Sequence, residues 1–359
     1  MKFTAFTIAL FASSASAFSV HSSFPVKQRT TSSTQLHASL NSKNDDLYAG
    51  QTNTALSAAT LADVDVVEQL DQAAEVESAA KSYLDDGFIF GLESSGLERP
   101  KGKSANVVVE GDSLETQPWQ VAAVGTTFAG HAIFAGTAIY QMLALNNGDT
   151  VFTAAESLAV IASSWAIADL GSGILHWSVD NYGNGRTPIM GGIIAAFQGH
   201  HSAQWTITYR EFCNNVYKLC IPFGIPTMAA ISLLAGSEHP SVTLFFAVFC
   251  AMEILSQEFH KWAHMSKGEV PSYVNWLQDV GLTISRKAHA NHHKVPYDGN
   301  YCIVSGLCND YLDSSGFFRK FEHAVYEFNG VESNSWKLDP ELRARTLMGD
   351  YSLPLKQKR

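Results

Sequence analysis

Apolar stretches of bilayer length constrain this chain more than any other feature. Four of them, near 120–145, 152–176, 217–236 and 240–259, are long enough to cross a hydrocarbon core, which takes about 20 residues as a helix. A bilayer interior offers backbone amides no water to bond, so such stretches become helices. The expected architecture is an all-α integral membrane bundle with about four transmembrane helices. A further apolar run, 189–197, is too short to span and suits the interface. Composition agrees: hydrophobic residues make up 46% and charged residues 16%, where a typical soluble domain has about 25% charged.

The ends read differently. Residues 1–17 have the pattern of a signal peptide: Lys2, an apolar run and the small-residue site Ala15-Ser16-Ala17. Residues 18–44 contain Lys27, Arg29 and Lys43, many Ser and Thr, and no acidic residue, which is transit-peptide chemistry. In series, with Phe18 after the cleavage site, the two resemble the bipartite presequences of algae with secondary plastids. Residues 45–118 read as a polar acidic linker, 119–330 as the membrane domain and 331–359 as a C-terminal tail. Much of the acid behind the net charge of −10 lies in 63–98. No basic domain suggests nucleic acid. The five cysteines form no CxxC pair, and their odd number argues against a disulfide framework.

Loop charge sets the orientation. The connections 146–151 and 236–240 carry no Lys or Arg. The other side carries Arg186, Arg210, Lys218, Lys261, Lys267, Arg286, Lys287 and Lys294. By the positive-inside rule that side faces the cytoplasm or, in a plastid, the stroma. Of 13 histidines, eight fall on it by parity: His176, His200, His201, His260, His264, His289, His292 and His293. The other five are set aside: His21 and His37 lie in the presequence, His131 inside the first span, His239 on the opposite side and His323 in the tail.

Helical spacing sharpens the pattern. His260 and His264 share a stripe that continues back through Gln257 to Glu253. His176 follows Asp169 by two turns and precedes Asp180 by one. A carboxylate inside a span is expensive and is a functional candidate by default. Asp169, Asp180 and Glu253 could orient a metal-bound imidazole by taking its proton or bind metal directly; the competing reading is that they bond neighbouring helices. Eight imidazoles exceed one zinc site and suit two metals, and imidazole alone leaves zinc, copper, iron and nickel open. Lys261-Trp262-Ala263 after His260 lacks the glutamate of a zinc protease motif. Haem needs one or two axial histidines. Two iron ions that activate molecular oxygen against a C–H bond fit best, because an unactivated methylene offers no handle for acid–base chemistry. A metal transporter or other non-enzymatic metal-binding membrane protein is disfavoured, since transporter ligands sit near the midplane and these cluster at one face.

The segments DLGSGILHWSVDNYG (169–183), QGHHSAQWTITYREFCNN (198–215), QEFHKWAH (257–264) and LQDVGLTISRKAHANHHKVPYDGNYCIVSG (277–306) occur in the order found in the lipid desaturase domain family. The chain resembles that family over roughly 115–330. It includes plastid phosphatidylglycerol desaturases of the fatty acid desaturase four type and plasmanylethanolamine desaturases. The resemblance implies iron ligands at His176, His200, His201, His260, His264, His289, His292 and His293. It implies either a trans double bond at carbon 3 of palmitate in phosphatidylglycerol or the vinyl ether of an ether lipid, and the plastid presequence selects the first. A lipid hydroxylase on the same site is a further alternative. Arg286 and Lys287, beside the last box, could hold an anionic head group or act as ordinary interfacial anchors. Desaturation also needs two electrons from outside. No flavin or haem domain is visible, and a basic face of Lys261, Lys267, Arg286, Lys287, Lys294, Arg319 and Lys320 would steer an acidic donor. In a stroma the expected acidic carrier is ferredoxin; the competing reading is that these residues only anchor the protein to anionic lipid.

Overall fold

A computed structural model describes residues 113–236 and 238–352. The signal peptide, the transit peptide, nearly all of the linker and the last seven residues lie outside the described part. The described residues form helices joined by loops, with no strand among them.

Three helices are long and apolar enough to cross a membrane: α1 (Pro118–Leu145), α2 (Thr150–Asn181) and the later Pro240–His264. Their starts are written in local chemistry. Pro118 opens α1, where its missing N–H is no loss. Asp149 caps α2 by accepting the Phe152 amide at 2.9 Å. The tight turn between them makes α1 and α2 antiparallel. Outward side chains such as Ile133 and Leu158, each 66% exposed, present apolar surface, as a lipid-facing helix must.

After α2 come α3 (Gly191–Ser202), which carries the paired histidines, and a 3-10 turn at Gln204–Tyr209. The expected span at 217–236 is not one unbroken helix. It is α4 (Phe212–Leu219), a π-helical turn (Cys220–Gly224) and α5 (Ile225–Ser232). The cause is in the sequence. Pro222 has no N–H to give the ladder, and the helix absorbs it by widening. Gly224 in this turn lies so close to Thr127 of α1 that a Cβ would collide with it. The run still carries the chain from the histidine end back to the far end. It must, because α6 (Pro240–His264) starts there and brings its own histidines to the same end as those of α2.

The core is α6 packed between α1 and α2. At about 1.5 Å per residue α2 is about 48 Å long, well beyond an about 30 Å hydrocarbon layer. His176 and Asp180 lie in its last turns. Beyond α6 come α7 (Ser272–Asp279), α8 (Arg286–His292), α9 (Asn309–Ser314) and α10 (Phe317–Asn329). Residues after 330 are not a loose tail over their described length. They form α11 (Asn334–Leu338) and α12 (Pro340–Leu347), and Trp336 is only 1% exposed.

Candidate metal centre

The eight histidines come together, and they divide into two groups. The first is His200, His260, His264, His289 and His293; the second is His176, His201, His292 and Asp180. Within each group one ligand atom per residue lies within 4.8 Å of all the others. The groups adjoin: the His176 and His260 rings are 5.8 Å apart, and those of His289 and His292 5.6 Å.

In the first group Nε2 atoms face Nε2 atoms. The contacts run from His260 to His200 (3.0 Å), His200 to His264 (2.8 Å), His264 to His289 (2.7 Å) and His289 to His293 (2.9 Å). A neutral imidazole has one N–H and one lone pair, so five convergent Nε2 atoms cannot all be satisfied by one another. Protonation is no remedy. Burial, followed by the neighbouring rings, holds His200, His289 and His293 well below the ordinary histidine range. One cation among the five lone pairs satisfies the set.

The second group contains a charge. Asp180 Oδ2 lies 3.2 Å from His176 Nε2, 3.2 Å from His201 Nε2 and 3.4 Å from His292 Nε2. Two of these rings are aimed from behind. His176 Nδ1 donates to the Tyr301 carbonyl and His292 Nδ1 to the Gly299 carbonyl, each at 2.9 Å. With the protons fixed there, Nε2 carries the lone pair, as a metal ligand requires. Burial pushes His292 down to about 4, and its Nε2 has no hydrogen-bond partner. The donor sets therefore fit two metal ions, one held by five nitrogens and one by three nitrogens and a carboxylate.

The other carboxylates stand elsewhere. Asp169 bonds no histidine; it accepts the amides of Ser305 (2.7 Å), Gly306 (2.8 Å) and Cys308 (2.9 Å). It thereby anchors the loop whose upstream residue Tyr301 aims His176. Asp169→Asn puts an NH2 or a weaker acceptor against these amides. Bonds to a charged group contribute about 1.5–3 kcal/mol each, so this change is expected to cost about 3 kcal/mol, read by denaturant unfolding in detergent. Unchanged unfolding would mean that the loop does not rely on the carboxylate. Glu253 sits against Gly171, where a Cβ would strike its Oε1, and that oxygen has no hydrogen-bond partner.

The cations also differ from the sequence pattern. Lys261 is largely buried and paired with Glu258 at 3.1 Å. Arg319 is 2% exposed and bonds Asp298 and the carbonyls of Asp313 and Tyr351. Neither belongs to an exposed face. Arg286 is tied to the Met265 carbonyl (2.6 Å) and to Asn275 (2.9 Å), whereas Lys267, Lys287 and Lys294 are exposed. Sequence reasoning missed Tyr297, whose buried ring lies 4.4 Å from that of His201, and Tyr301. Neither stands in a spacing pattern that would have marked it.

Residues 165–336 match the model of the lipid desaturase domain, and all eight histidines and Asp180 fall inside that range. This segment is similar to a lipid desaturase domain. The chain is similar to fatty acid desaturase 4-like 1, chloroplastic, of Arabidopsis thaliana, with 44% identity over 48% of this chain and 58% of that protein. Fatty acid desaturase 4, chloroplastic, of the same plant is also 44% identical, over 48% of this chain and 53% of its own length. Plasmanylethanolamine desaturase 1 of Mus musculus is 29% identical over 48% of this chain and 66% of that protein. The chain thus spans little more than half the length of the first two curated relatives it matches. No solved structure matches it.

Proposed function

We propose that this protein is a membrane lipid desaturase that uses two iron ions and molecular oxygen to introduce a trans double bond at carbon 3 of palmitate in plastid phosphatidylglycerol. The observation that carries this reading is the pair of adjoining ligand groups, one fully and one partly buried, at the C-terminal ends of α2 and α6. A site at the end of the spans suits a carbon few bonds from a head group. The names of the plant relatives favour an acyl substrate and a plastid; the name of the mouse relative favours an ether lipid.

When bound, the two irons supply the oxidising power that an unactivated methylene pair demands. The chain's own residues do the rest. Tyr301 and Gly299 hold protons on His176 and His292 Nδ1, so that both rings present lone pairs. Phe197 packs against the His176 and His260 rings, at centroid distances of 5.2 and 6.3 Å, and keeps water from that side. For balance, the substrate loses two hydrogens, and oxygen takes these with two electrons and two protons to give two waters. The electrons come from ferredoxin in this reading, steered by exposed Lys267, Lys287 and Lys294 on a stroma-facing surface.

The test is reconstitution of the full chain in vesicles of palmitoyl phosphatidylglycerol with oxygen, ferredoxin and its reductase. The expected product is the trans-3 monoene, with two irons per chain by metal analysis. A vinyl ether formed from an ether phospholipid, with phosphatidylglycerol untouched, would transfer the assignment to the second substrate. Turnover with cytochrome b5 but not ferredoxin would remove the donor and the stromal orientation. A purified protein without iron would remove the reading itself.

A further inference from the structure

We infer that residues 333–336, which follow the last histidine box well downstream in sequence, are positioning residues for the second metal site: they fasten the end of α2 that carries His176 and Asp180. The inference rests on the iron reading above.

A helix leaves its last four carbonyls without partners inside the helix. At the end of α2 these groups lie beside the second ligand group, and other segments bond them. Gln198 Nε2 donates to the carbonyls of Val179 (3.1 Å) and Gly183 (3.2 Å). The Asp180 carbonyl receives its shortest bond, 2.7 Å, from Asn334 Nδ2. The next residue pair repeats the tie, because the Ser335 amide donates to Asn181 Oδ1 at 3.1 Å. Asn181 in turn donates to the Tyr301 hydroxyl at 3.0 Å, and Tyr301 is the residue whose carbonyl aims His176. So the strap meets both the backbone of the carboxylate ligand and, through one side chain, the residue that orients a histidine ligand.

A second anchor holds the strap down. Glu322 of α10 accepts the Trp336 indole at 2.8 Å with one oxygen and the Trp177 indole at 3.1 Å with the other. Trp177 directly follows His176. Glu322 is 1% exposed and Trp336 1% exposed, so this clasp is dry, where hydrogen bonds are stronger and an unmade one is expensive. Ser333 caps the short helix by accepting the Trp336 amide. None of the five histidines of the first group bonds to 333–336 among the described residues. The geometry therefore ties the strap to one metal site and not to the other.

The experiment is metal analysis of the purified full chain and its variants, with the wild type as the check on the iron reading. Two irons per wild-type chain leave that reading intact whatever the variants do; none would remove it and the inference with it. Asn334→Ala and Trp336→Phe are expected to lower the iron content from two toward one per chain, and Asn334→Gln to restore it. Adding Asn334→Ala to Asp180→Ala, which already lacks a ligand of the second site, should change nothing further. Variants that keep two irons, or that lose both together, overturn the inference. So does a further loss of iron when Asn334→Ala is added to Asp180→Ala, which would mark the strap as a general support of the fold.

Discussion

Asp180→Ala is expected to abolish desaturation and to leave one of the two metal ions in place. Asp180 Oδ2 is the common neighbour of His176, His201 and His292. It is also the sole anion in either ligand group. Without it, three neutral nitrogens face a cation in a dry site with nothing to balance its charge, and burying an unbalanced charge is severely unfavourable. The five-histidine group shares no ligand with this one, so its ion stays. Disturbing residues that merely support metal ligands typically costs about 10–100-fold; loss of the ligand itself should exceed that, to the detection limit of fatty-acid analysis. His264→Ala is the mirror case. His264 Nε2 contacts both His200 and His289, and its loss should empty the first group and keep the second. If Asp180→Ala protein retains two ions and normal turnover, the carboxylate is not a ligand, and the division into two groups must be redrawn.

Much of this site is legible in the sequence, for identifiable reasons. His176 and Asp180, like His260 and His264, are one helical turn apart, and helix geometry alone places such pairs on one face. Parity of apolar spans puts all eight histidines at one end, and the interrupted run at Phe212–Ser232 preserves that parity although Pro222 breaks its regular ladder. The division into five and three is not legible. His200 and His201 are neighbours in sequence yet enter different groups, because successive residues of a helix point about 100° apart and only packing decides what each meets. Asp169 lies on the stripe of His176, but its partners are amides about 135 residues later. Lys261 and Arg319 count as charge in a sequence, while in the fold Glu258 and Asp298 neutralise them. Residues 331–350 carry no long apolar run, so composition marks them as a tail; the burial of Trp336 and Leu342 makes them part of the domain.

Acid is expected to release both metals and to destabilise the fold, and the sign follows from burial. In the metal-free protein His292 is held down to about 4, and His200, His289 and His293 well below the usual range. Unfolded, each ring titrates near its ordinary value of about 6.5. Between about pH 6.5 and 4 the unfolded chain thus binds protons that the folded chain refuses, and stability falls as pH falls. For His292 alone the full effect is about 3 kcal/mol. Two buried carboxyls act oppositely. Burial pushes Glu322 and Asp313 up to about 7, so the folded state takes their protons first and gains stability on the same descent. Four rings against two carboxyls leave a net loss. Bound metal shifts this balance, since it binds the same lone pairs as the protons and stabilises only the folded state. Melting in detergent from about pH 7 to about pH 4.5, with and without a chelator, should therefore give two curves: a gradual decline for the stripped protein, and for the loaded protein a plateau followed by a steep fall that coincides with metal release. Glu322→Gln removes one opposing carboxyl and should steepen the stripped protein's decline. A stripped protein whose melting temperature is flat over this range would show that the imidazoles are not held neutral by burial, and the argument that their lone pairs await a cation would fail with it.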